Sequence, residues 1–109
     1  MKKIPRLLID FDRVIHKYSQ GFKDGSIYDD PVPGAIEALK KLQEAGYEVV
    51  VFTAKSQLGQ KRNKAIKKWL EKYGLKNIKV TSTKLSARAY IDDRAIRFTN
   101  WRDILSYFI

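Results

Sequence analysis

Six side chains of this 109-residue sequence could do chemistry together: Asp10 and Asp12, Thr53, Lys84, and Asp92 with Asp93. Four carboxylates gathered at one point repel one another unless a cation sits among them. The set has hard oxygen donors and no histidine or cysteine, which favours magnesium (Mg2+) as that cation. A hydroxyl and an ammonium group beside them complete a cradle for a phosphoryl group, whose dianion cannot approach carboxylates without such neutralisation. Taken singly, each residue has a plainer use. A strand-end aspartate caps a helix or forms a turn, and Thr53 alone is an N-cap candidate. Lys84 is one lysine among many, and Asp92-Asp93 before Arg94 is a surface ion pair worth little. The chemistry therefore depends on elements that bring the six together.

The sequence supplies such elements. Leu7-Leu8-Ile9 is a short, fully apolar run ending in Asp10-Phe11-Asp12. It reads as a buried strand of a parallel sheet with carboxylates at its C-terminal tip. In the stretch that follows, Val14-Ile15-His16 and Ser26-Ile27-Tyr28 can pair as a β-hairpin around Gly21–Gly25. Pro33 suits the first turn of a helix whose apolar stripe is Ala35, Ile36, Leu39 and Leu42, stopped by Gly46. Tyr47 to Phe52 is a second buried strand, ending at Thr53. A second helix runs from about Leu58 to Tyr73, with Leu58, Ala65, Ile66, Trp69, Leu70 and Tyr73 on its apolar face and Gly74 as its stop. Ile78 to Thr81 is a third strand and Ala89-Tyr90-Ile91 a fourth, ending at Asp92-Asp93. Ala95 to Phe98 offers a fifth, and Trp101 to Tyr107 a closing helix. Strands alternating with helices mean an α/β fold with a parallel sheet, here in one domain over residues 1–109. In such sheets, sites form outside the C-terminal strand ends. This layout puts Asp10, Asp12, Thr53, Asp92 and Asp93 there, with Lys84 in the loop leading to the fourth strand.

In order and context, these residues resemble the four motifs of the haloacid dehalogenase (HAD) superfamily of phosphatases. Leu8-Ile9-Asp10-Phe11-Asp12 resembles the first motif and Val50-Val51-Phe52-Thr53-Ala54 the second. Lys84 resembles the third and Tyr90-Ile91-Asp92-Asp93-Arg94 the fourth, so the likeness spans essentially the whole chain. The resemblance implies a three-layer α/β/α, Rossmann-like sheet and an aspartyl-phosphate mechanism. In it Asp10 is the nucleophile, and Asp12 is the general acid that later serves as base. Thr53 donates to a phosphoryl oxygen and Lys84 neutralises Asp10 and the phosphate. Asp10, Asp92, Asp93 and the backbone carbonyl of Asp12 hold magnesium. Backbone N–H groups after Asp10 and Thr53, including that of Ala54, finish the anion hole.

The chain departs from the pattern at Arg13, where relatives usually carry glycine. A side chain there blocks the site, strains the turn or adds a phosphate-binding cation. Leu85 stands where relatives often have proline. His16, the one histidine, faces two roles, packing in the hairpin or touching the leaving group. The short spacing between Asp12 and Pro33 holds a hairpin flap and no cap domain. An open site suits a large substrate such as a polynucleotide end or phosphoprotein, or a phosphorylated small molecule if an oligomer partner covers the mouth.

The net charge of +10 favours polyanions, nucleic acid among them. From Lys55 to Lys84 ten basic residues face one acid, Glu71; a solvated helix face is the plainer account of this run. Tyr18, Phe22 and Tyr28 could stack on a base or pack the hairpin. There is no cysteine, hence no disulfide and no thiolate site. No apolar stretch reaches the ~20 residues of a membrane span, and the expectation is a soluble, cytoplasmic protein without membrane contact. The rival to a phosphatase is a HAD-like module that binds phosphate or nucleic acid without turnover. A two-component receiver domain is set aside, because there an acidic pair comes early and lysine last, whereas here Asp92-Asp93 follows Lys84.

Overall fold

In the computed structural model, the described residues are 5–108 apart from 22, 24, 25, 54–58, 83, 84 and 86. Strand β1 (Arg6–Asp10) leads through a loop to helix α1 (Ala35–Glu44), then strand β2 (Glu48–Phe52) and helix α2 (Gly59–Lys72). Strands β3 (Lys79–Thr81) and β4 (Ala89–Ile91) and helix α3 (Trp101–Ser106) complete it. The four strands form one all-parallel sheet in the order β3-β2-β1-β4. The fold is therefore α/β.

Strands β1 and β2 are central because they can be. Leu7, Leu8 and Ile9, like Val49, Val50 and Val51, are buried on both faces, as continuous apolar runs require. They pair in register, Leu8 opposite Val50 and Asp10 opposite Phe52. Alternation then sends Leu7, Ile9, Val49 and Val51 to one face, where they share a core with Leu39 of α1 and Ile66 and Leu70 of α2. Each such burial contributes about 1.5–3 kcal/mol.

Glycines set the helix ends. Ala35 N–H donates to Val32 O across Pro33 and Gly34, with Gly34 at φ 84°, a type II turn that launches α1. After α2, Gly74 N–H bonds Glu71 O and Leu75 N–H bonds Leu70 O. Gly74 sits at φ 85°, and buried Leu75 closes this Schellman stop against the core. No helix among the described residues is long and apolar enough to cross a membrane.

Several sequence expectations are corrected. Pro33 precedes α1 instead of entering its first turn. Val14–His16 and Ser26–Tyr28 form no hairpin ladder: the amides of Ile15 and His16 are both taken by Phe11 O. The return leg is residues 30–32, through Lys17 N–H to Asp30 O and Val32 N–H to Ile15 O. Ala95–Phe98 is exposed and lies in no strand, and β4 remains the edge of the sheet among the described residues. Ala65 is exposed, and Arg62 takes a buried place on α2. A third layer is not formed among the described residues. Among the described residues helix α3 packs on no other element; it is short and is held by its own Asn100 cap, whose side chain accepts from Asp103 N–H.

Candidate active site

The strand order reverses at β1. The chain steps from β1 to β2 to β3 on one side, and β4 returns to the other. A crevice opens outside the carboxyl ends of strands at such a switch point. Asp10 ends β1 and Asp92-Asp93 follow β4, its neighbour there. A cavity of about 230 Å³ is lined by Asp10, Asp12, Asp92 and Asp93 with Arg13, Arg94, Tyr18 and Phe52.

Carboxylate oxygens of Asp10, Asp92 and Asp93 come within 4.8 Å of one another. Asp10 is half-buried, the other two exposed. The crowding is written into Asp10, whose carboxyl is raised from 3.8 to about 7. Burial is the main cause, and the charge of Asp92 adds to it, with smaller contributions from Asp12 and Asp93. Only the hydrogen bond from Phe11 N–H works the other way. Three oxygen donors that repel one another are a set that a hard divalent cation fits.

Asp12 stands apart from this trio. Its Oδ1 lies 3.0 Å from His16 Nδ1, and its Oδ2 accepts from Arg62 Nη2 at 3.2 Å. His16 is fully buried, and its Nε2 accepts the Asp29 N–H at 3.1 Å. That leaves Nδ1 as the protonated nitrogen, which donates to Asp12. The ring stacks on Phe11 with centroids 5.2 Å apart. Phe11 itself is fully buried between the two aspartates in sequence, so the apolar anchor fixes the chain from which both project.

The loop after β1 is held in costly backbone. Arg13 adopts φ 71° and Tyr18 φ 54°, the left-handed region, at about 1–2 kcal/mol each. Arg13 N–H bonds His16 O at 2.7 Å, and its exposed guanidinium lies over the Tyr18 ring, 5.6 Å from the centroid. Arg13 therefore strains the turn, as one of the three expectations had it, and its side chain lines the cavity. Tyr28 hydroxyl donates to Gly21 O and accepts from Gln20 N–H, so this tyrosine closes the loop. Asp29 is tied by Ser19, whose hydroxyl and N–H lower it to about 2.

Thr53 follows β2 and is 2% exposed; its hydroxyl accepts from Arg62 Nη1 at 2.9 Å. It does not line the cavity but lies behind Asp12, joined to it through Arg62. Ala54, Lys84 and Phe22 fall outside the described residues. The motif spacing does not point to Arg62, to Arg94 at the cavity, or to the bond between His16 and Asp12. Arg62 did carry a signal. It sits four before Ile66 and eight before Leu70, on the apolar stripe of α2, where a cation must find a partner.

No family model matches the chain, and no curated protein does. A solved structure of a conserved protein coded by a locus of Bacteroides thetaiotaomicron is similar, with a TM-score of 0.65. The two share 24% identity, over 94% of this chain and 87% of that one. This likeness bears on the fold alone.

Proposed function

We propose that the chain is a capless HAD-superfamily enzyme, a magnesium-dependent phosphomonoester hydrolase with Asp10 as nucleophile. The observation that carries the reading is the meeting of Asp10, Asp12, Asp92 and Asp93 around one cavity at the β1/β4 switch point. Asp10, Asp92 and Asp93 fit magnesium by donor type and closeness. Bound there, the ion would neutralise the trio and the incoming phosphate.

An Asp10 oxygen attacks phosphorus, and the bond from phosphorus to the ester oxygen breaks. The leaving oxygen takes a proton from Asp12, the carboxyl that lines the same cavity on a separate tether. Water then attacks the aspartyl-phosphate, its proton passes to Asp12, and inorganic phosphate leaves with Asp10 restored. Arg13 and Arg94, both at the cavity, supply cations for the substrate dianion. Lys84 is assigned its neutralising role by the motif resemblance.

Exposed Lys61, Lys64, Lys67, Lys68 and Lys72 line α2. They favour a polyanionic substrate such as a polynucleotide end over a neutral one. The test is release of p-nitrophenol from p-nitrophenyl phosphate with magnesium and with EDTA. Turnover that needs the metal and vanishes in Asp10→Asn is expected. Turnover retained in that variant removes Asp10 as nucleophile. A folded wild-type protein that is silent favours the non-catalytic binding module instead.

A further inference from the structure

We infer that Arg62 is a positioning residue which, with His16, fixes the carboxylate of Asp12 toward the leaving group; the inference rests on the phosphatase reading above. One guanidinium joins three segments distant in sequence. From α2, Nη2 reaches Asp12 Oδ2 at 3.2 Å and Oδ1 at 3.4 Å, while Nη1 reaches Thr53 Oγ1 at 2.9 Å. The Arg62 side chain is 4% exposed and that of Asp12 14%. Its cation also lies over the Phe11 ring, 5.8 Å from the centroid.

Stability alone does not account for an arginine here. A buried ion pair contributes little net stability and is often matched by apolar residues of similar volume. Position 62 continues the stripe of Ile66 and Leu70, where such a residue would pack. What the guanidinium supplies is direction. Its planar fork fixes both distance and angle, which the point charge of lysine does not. His16 Nδ1–H holds the other side of Asp12 at 3.0 Å, and its ring is locked by Phe11 and the Asp29 N–H. Held from two sides, Asp12 has little rotational freedom left. By occupying a lone pair of Thr53 Oγ1, Arg62 also leaves that hydroxyl's proton for another acceptor.

The role has a signature that general damage lacks. Protonation by Asp12 matters most for a poor leaving group. The p-nitrophenolate ion departs with little help, whereas an alkoxide needs the proton. The value of kcat/KM reports steps only up to the aspartyl-phosphate, so the water step does not blur the comparison. The experiment measures kcat/KM for p-nitrophenyl phosphate and ethyl phosphate in wild type, Arg62→Met and Arg62→Lys, with folding checked by circular dichroism. Arg62→Met is expected to lose about 100-fold on ethyl phosphate, the low end of general-acid contributions, and under about 10-fold on the aryl ester. Arg62→Lys, which keeps the charge, folds if Met does not and shows the same bias at smaller size. Equal losses on both esters, or no loss on either, overturn the positioning role while leaving the phosphatase standing. Absence of magnesium-dependent turnover in the wild type overturns the phosphatase reading, and this inference with it.

Discussion

His16 Nδ1 stands 3.0 Å from Asp12 Oδ1, and the same imidazole accepts the Asp29 N–H at its far nitrogen. One buried ring thus joins the end of β1 to the far leg of its loop. His16→Ala removes a fully buried ring together with its bonds to Asp12 and to the Asp29 N–H. The expected cost is about 2–4 kcal/mol, read from urea unfolding. His16→Asn, which keeps a donor near the Nδ1 position, should recover part of it. A cost below about 0.5 kcal/mol, the usual ceiling for surface changes, would show that the loop stands without this ring.

Asp10 makes the molecule sensitive to pH. Its carboxyl titrates near 7 in the folded chain and near 3.8 when unfolded. The folded state therefore holds a proton that the unfolded state has already released. The contribution is fully present below about pH 4 and is lost as pH climbs through 7. Asp10→Asn abolishes this loss. At pH 8 and without metal it should be more stable than wild type by about 1–2 kcal/mol, the linkage value reduced by screening on the carboxyl's open side. Magnesium should raise the melting temperature of the wild type at pH 8 and leave Asp10→Asn nearly unmoved. Thermal melts at pH 5 and pH 8, with and without magnesium, read all of these effects. Equal stability of the two proteins at pH 8 would mean that the trio is not electrostatically strained.

Arg13 couples strain to binding. In its left-handed conformation, Arg13→Gly should stabilise the fold by about 0.5–1 kcal/mol, since glycine adopts φ 71° freely but carries more entropy when unfolded. The same change removes a cation beside the cavity. A contact of about 1 kcal/mol corresponds to a rise of roughly 5-fold in KM for a phosphomonoester, with kcat nearly unchanged. A fall in KM with faster turnover would instead identify the guanidinium as an obstruction. Steady-state kinetics beside a urea titration separates the outcomes.

Much of the frame was legible in the residues. The runs Leu7–Ile9 and Val49–Val51 read as strands buried on both faces, and Gly46 and Gly74 as helix stops at those spacings. Acidic residues at the ends of β1 and β4 then followed from strand polarity in a parallel sheet. The C-terminal part was misread for a physical reason. Ala95–Phe98 has strand-like composition, but it does not pair with the free edge that β4 presents, and α3 packs on no element among the described residues; composition reports a strand's propensity and not its partner.

The sequence by itself determined which groups could meet: the spacing of apolar runs set the strands, and the strands set which side chains stand at their tips. Tertiary structure decided which partners hold each of them. It drew Asp10 toward Asp92 and Asp93, where burial and like charge raise its carboxyl. It drew Asp12 away to His16 and Arg62, which share no local motif with it. Periodicity reports which face a residue occupies. It carries no information on which partner a long side chain such as Arg62 reaches across the core, because that distance is set only when α2 packs on the sheet.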